Sequence, residues 1–224
     1  MINKNYIAEI MEGRVEDAKA KIIKAGLEIF SDSSLKAART REIAALAGVN
    51  HAAISYYFGG KEELYLEIAN QITEFIAAYT KPFFEKAEEV YKTKSAKAAR
   101  ELMVDFAMSR ICPESDMNDT LRHIILVITR EELSRRTGAI EVFFEKTFAP
   151  SLEMMSKLTE IASEGKYSGE KACVVSEMVI GQIHLFNSAR SGLKKINGWE
   201  SFDHEEIRKV RVTFAELLDK IFNK

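Results

Sequence analysis

The sequence predicts an all-α protein: an N-terminal three-helix domain carrying a helix-turn-helix, then a larger helical domain, about nine helices in all. Three observations carry this. The stretch AKAKIIKAGLEIF places Ala18, Ile22, Ala25 and Ile29 on one helical stripe. Only three prolines interrupt 224 residues that are well supplied with Ala, Leu, Ile, Glu and Lys, which enter helices at little cost. The segment Thr40–Lys61, TREIAALAGVNHAAISYYFGGK, sets two short amphipathic runs on either side of a single glycine.

Residues Met1–Gly13 read as a short arm, and with Lys4 as the only basic residue before Gly13 little contact with a polyanion is expected from it. The first helix is predicted from Arg14 to Phe30. In the next, Thr40 can cap through its side-chain oxygen, and Glu42 suits the positive helix start. Ile43 and Ala47 share a face. Gly48 supplies the positive φ of a sharp turn, and Val49 plugs its underside. Asn50 is a second cap, and His51–Phe58 forms the second short helix with Ile54 and Phe58 inward. Two helices crossing steeply over a three-residue turn must approach closely, and the small Ala44 stands where they would meet. An ordinary hairpin with a glycine turn requires no such agreement at positions 43, 44, 47, 48, 49 and 54.

The fourth helix is predicted from Lys61 through Tyr79, with a break or kink at Pro82. Ser95 caps a helix ending near Cys112–Pro113, and another runs from Asp116 to Arg136. Gly138 separates it from a helix reaching Ser163, bent at Pro150. Ser168 caps the apolar helix KACVVSEMVIGQIHLFNSAR. A turn at Asn197–Gly198 precedes a last helix, Asp203–Phe222. The chain is expected to divide into a helix-turn-helix domain, 1–62, and a larger helical domain, 63–224.

The net charge of −2 does not advertise nucleic-acid binding. Between Lys36 and Lys61, however, four basic residues (Lys36, Arg39, Arg41, Lys61) face one acidic residue, Glu42, so a small basic face lies on an acidic body. No run approaches the ~20 apolar residues of a membrane span, and the N-terminus has no signal-peptide core; a cytoplasmic location is expected. Cys112 and Cys173 form no CxxC and read as intracellular thiols. The histidines form no HExxH, FGGKEE lacks the spacing of a phosphate-binding loop, and no nucleophile has a recognisable partner. Neither catalysis nor a metal or cofactor is expected.

DNA contacts fall on the outer face of the second short helix: His51, Ala52, Ser55 and Tyr56. Arg41 reaches a base edge or a phosphate, Thr40 donates to a phosphate, and Lys61 meets one at the start of the fourth helix.

The flanks sharpen this. Arg14–Tyr65 resembles the N-terminal domain of the TetR family of transcriptional regulators, with YYFGGKEEL matching the family's aromatic pair, small residue and Lys-Glu. The stretches NHAAISYYFGGKEELYLEIANQITEFI, REELSRRTGAIEVFFEKTFAPSLEMMSKLTEIA and GWESFDHEEIRKV resemble the CecR-like subgroup. Ser34 and Leu35 depart from the usual glycine and aromatic. Ser55 replaces a tyrosine that contacts a backbone phosphate, a contact that Tyr56 or Tyr57 would take over. Tyr57 matches the family position that usually touches the backbone.

The resemblance implies a fourth helix joining DNA-binding and regulatory domains, and a small-molecule pocket in the latter. Candidate lining residues are Phe75, Tyr79, Met103, Phe106, His123, Val127, Arg130, Phe148 and Met178. Arg130 either orients a ligand or belongs to a structural network with Glu131 or Glu132. The resemblance also implies a homodimer through the last two helices, the first of which carries apolar residues on more than one face. The expected function is a repressor that binds a palindromic double-stranded DNA operator as a homodimer and is released by a small apolar or aromatic effector. Two alternatives remain: a ligand-independent activator or architectural protein, and a helical ligand-binding protein with a vestigial helix-turn-helix.

Overall fold

The computed structural model describes residues 6–11, 13–111, 127 and 138–222. Among them every regular element is helical, with no strand. Helix α1 is Tyr6–Met11, α2 Ala18–Asp32, α3 Thr40–Ala47, α4 Ala52–Phe58, α5 Lys61–Thr93 and α6 Ala96–Ser109. Then come α7 (Gly138–Phe143), a π-helical turn (Phe144–Phe148), α8 (Ala149–Ala162), α9 (Glu170–Ser188), α10 (Arg190–Asn197) and α11 (His204–Phe222). Among the described residues no helix is long and apolar enough to cross a membrane. The chain forms two compact units, Met1–Tyr79 with Asn118–Thr147, and Thr80–Met117 with Phe148–Lys224.

In the first unit, the expected arm is in part a helix. Ile7 and Ile10, three residues apart in α1, are buried in the same core as α2. Helix α2 starts later than predicted, because the Asp17 carboxylate accepts the Ala20 N–H at 2.8 Å and fixes the first turn there. Its buried stripe, Ala20, Ile22, Ile23, Ala25, Leu27 and Phe30, meets Leu64, Tyr65, Ile68 and Ile72 of α5. Phe30 and Tyr65 meet edge to face, ring centres 4.9 Å apart. Gly26 permits the close approach of α2 and α5: a Cβ there would lie 2.7 Å from Ile68 Cδ1.

Of the break or kink expected at Pro82, a break does not occur. Helix α5 runs unbroken through it for 33 residues, about 50 Å at 1.5 Å per residue. Pro82 removes one N–H, and the carbonyl this frees belongs to Ala78; both residues are exposed, so water can satisfy that carbonyl.

In the second unit, the Ser95 hydroxyl accepts the Ala98 N–H and caps α6 as expected. Leu102, Met103 and Phe106 of α6 share a core with Met154, Met155 and Leu158 of α8, Ile183 of α9, and Val210, Leu218 and Phe222 of α11. The buried hydroxyls of Thr159 and Ser176 pair with each other. Ser176 Oγ donates to Ala172 O, so Thr159 Oγ1, 2.9 Å away, donates to Ser176. Arg100 ties α6 to the Ala162 carbonyl (2.9 Å) and to Asp219 of α11 (2.9 Å). Gly138 opens α7 rather than only separating elements, and the π turn ends two residues before Pro150. Ser168 does not cap α9: Gly169 occupies that position, and its N–H donates to Glu160 Oε1 at 2.8 Å. Helix α10 is an element that sequence periodicity missed. The helix predicted over Asp116–Arg136 lies outside the described residues apart from Val127, which is helical and buried in the first unit.

Candidate nucleic-acid interface

Helix α3 buries Ile43, Ala44 and Ala47. The chain then turns at Gly48, φ 65° and ψ 33°, a left-handed conformation that costs a side-chain-bearing residue energy. The Gly48 and Val49 N–H groups donate back to Ala45 O (3.2 Å) and Ala44 O (3.0 Å), satisfying the last carbonyls of α3. Val49 packs partly against the core. Asn50 Oδ1 accepts the Ala52 N–H at 2.9 Å, which supplies the expected cap. In α4 only Ile54 is wholly buried, 1% exposed, with Phe58 half-buried against the same core. A seven-residue helix is too short to persist alone; its docking through Ile54 holds it.

That docking leaves the opposite face outward. His51, Ala52, Ser55, Tyr56 and Tyr57 are all exposed, Tyr56 by 83%. The Tyr56 and Tyr57 rings meet edge to face at 5.0 Å. Arg41 is exposed in the first turn of α3. Arg39 and Glu42 are 4.0 Å apart and both exposed, a geometry that contributes little in water.

Two residues differ from expectation. Thr40 does not cap α3: Arg39 holds the cap position without a side-chain bond, and Thr40 Oγ1 lies 2.8 Å from His51 Nε2. The hydroxyl is drawn across the turn to the imidazole rather than back to its own helix. Lys61 begins α5 as expected, but its Nζ also donates to Ala38 O at 3.0 Å, fastening the loop before α3. Neither contact has a periodic sequence signal, since each joins residues far apart in the chain.

Residues 22–68 match the family model described as bacterial regulatory proteins, tetR family. Over 207 residues, 92% of this chain and 92% of the relative, the sequence is 31% identical to the HTH-type transcriptional dual regulator CecR of Shigella flexneri. The chain belongs to the tetR family of bacterial regulatory proteins. It is a DNA-binding transcriptional regulator of CecR-like type, and its helix-turn-helix serves that role rather than catalysis. Solved structures share the tetR-family fold. An HlyIIR mutant protein has a TM-score of 0.60 at 21% identity, covering 92% of this chain and 98% of that one. FadR of Bacillus subtilis, solved in complex with stearoyl-CoA, has a TM-score of 0.53 at 19% identity, covering 88% and 96%.

The candidate effector residues fall in both compact units. Phe75 packs against the core of the first unit, to which Val127 belongs, and Tyr79 is half-exposed. Met103 and Phe106 are buried in the second unit's core, and Phe148 is half-buried. Met178 is 65% exposed on α9. His123 and Arg130 lie outside the described residues. Of the two cysteines, Cys112 also lies outside. Cys173 is partly exposed, and burial together with Glu177 raises its thiol pKa, which disfavours the reactive thiolate.

Proposed function

We propose that this regulator is a homodimeric repressor that binds a palindromic operator and is released by a small apolar or aromatic effector. In this reading, residues 1–62 bind DNA and 63–224 bind the effector and dimerise. The observation that carries it is the outward face of α4, held by buried Ile54 on its other side. His51, Ala52, Ser55 and Tyr56 read base edges there. Thr40, Tyr57 and Lys61 engage phosphates, and Arg41 takes a base edge or a phosphate.

Dimerisation is supported by an exposed apolar stripe on α9. Val174, Met178 and Leu185 fall on it with Gly181, which has open space around its Cβ position. Val212 and Leu217 of α11 are exposed as well. A two-fold dimer would present two α4 helices to two half-sites and sum their binding free energies. Effector release is supported by the Met- and Phe-rich core of the second unit, since such side chains adapt to varied apolar ligands. Structural relatives include a regulator from Saccharomonospora viridis solved with choline and the FadR–stearoyl-CoA complex. An effector that favours a conformation with misplaced α4 helices lowers operator affinity by linkage. A tenfold loss needs about 1.4 kcal/mol of coupling. Helix α5 contributes residues to both compact units and is one covalent route for that coupling.

The test is selection of genomic fragments with the purified protein, followed by mobility shift and sedimentation of the complex. One palindromic site bound by two protomers, and released by an apolar compound, supports the proposal. One protomer per site, or activation without any effector response, contradicts it.

A further inference from the structure

We propose that Thr40 sets the hydrogen-bond polarity of His51, so that His51 reads an exocyclic amino group, adenine N6 or cytosine N4, in the operator. This deepens the proposed function and rests on it. Thr40 Oγ1 and His51 Nε2 are 2.8 Å apart, eleven residues apart in sequence, across the turn between α3 and α4. A hydroxyl can donate or accept, and a neutral imidazole carries one N–H, so in the free protein the bond can run either way. The threonine hydroxyl, however, has a single proton.

The phosphate contact proposed for Thr40 decides the direction. A phosphate oxygen only accepts, so it takes the Thr40 proton. Thr40 Oγ1 must then accept from His51, which requires the Nε2–H tautomer. The other ring nitrogen, Nδ1, is left as an acceptor on an exposed residue. An acceptor in the major groove pairs with the amino groups of adenine and cytosine and opposes guanine O6 and thymine O4. The backbone contact and the base preference are thereby joined through one side chain. Thr40 is a positioning residue in this account, and His51 is the reader.

The test uses full-length protein on the selected operator and its single-position variants, at one salt concentration. Wild type should discriminate by about tenfold at the pair that His51 meets. Thr40→Val should lose that discrimination, Thr40→Ser should restore it, and Thr40→Val combined with His51→Ala should be no less selective there than His51→Ala alone. Imidazole nitrogen shifts of wild type bound to operator, with His51→Ala assigning one of four histidines, should show the Nε2–H tautomer. The tautomer reading needs no Thr40 variant, so it stands even if a variant folds poorly. An Nδ1–H imidazole in the complex would overturn the proposal. So would a Thr40→Val protein that binds every variant more weakly by one common factor. Either result leaves the regulator reading intact, because wild type still selects a site. Failure of wild type to select any site would remove that reading and this proposal together.

Discussion

Replacing Ile54 by alanine should release the recognition helix. Ile54 is 1% exposed and is the only wholly buried residue of α4. Burying such a side chain contributes ~1.5–3 kcal/mol by transfer alone, and the cavity left behind adds to the loss. A total of about 3 kcal/mol is expected, within the usual range for core isoleucine truncation. Seven residues cannot hold a helix unaided, and one side-chain cap at Asn50 contributes only ~1 kcal/mol. The cost should appear in two assays. The urea midpoint should fall with an unchanged slope, and operator affinity should drop at temperatures where the protein remains folded. Ser55→Ala, at an exposed position of the same helix, should stay within ~0.5 kcal/mol of wild type in stability. If Ile54→Ala kept both the wild-type midpoint and wild-type operator affinity, the claim that burial through Ile54 holds α4 would be wrong.

Gly48→Ala should cost ~1 kcal/mol through its left-handed backbone alone, since its Cβ would meet nothing within 4 Å; Gly48→Asn should recover part of that in the same denaturation experiment. Lys61→Ala should weaken binding to all operator variants alike and flatten the salt dependence by ~0.9 in log–log slope, while lowering the melting temperature because Ala38 O loses its donor; an unchanged slope would confine Lys61 to the structural contact. Met178→Glu places a charge in the exposed apolar stripe of α9 and should shift sedimentation toward monomer. Glu206 accepts the Asp203 N–H, and backbone hydrogen bonds, its own first, hold its carboxyl below its ordinary value. Its contribution is therefore present above that ordinary value and lost as pH falls through the lowered one. Glu206→Gln should flatten the acid side of a stability–pH profile and leave the neutral plateau's slope unchanged.

Features governed by neighbouring residues were legible in the sequence. Gly48 takes the left-handed turn, and Asn50 and Ser95 cap through their side chains. Ile43, Ala44 and Ile54 are buried where amphipathic spacing puts them. Features governed by distant contacts were not. Ile7 and Ile10 span too short a run to mark a helix, yet α2 gives them a core to enter. Pro82 signals a break or kink locally, but Ala78 and Pro82 are exposed and the helix continues. Ser168 has the side chain of a cap, but Gly169 takes that position and its N–H meets the Glu160 carboxylate of the preceding helix. The same limit applies to the interface. Helical periodicity turns His51, Ala52, Ser55 and Tyr56 outward, but only three-dimensional placement brings Thr40 to His51 and Lys61 to Ala38. The close approach at Gly26 likewise depends on Ile68, 42 residues further along the chain.

The most direct test of the central claim, that α4 reads an operator through its outward face, is a mobility-shift titration on a site recovered from genomic fragments. It should be run at two salt concentrations with wild type and His51→Ala. The account predicts a near-palindromic site, affinity that falls steeply with salt, and an altered ranking of operator variants for His51→Ala. Binding that ignores sequence, or an identical ranking for the two proteins, would contradict it.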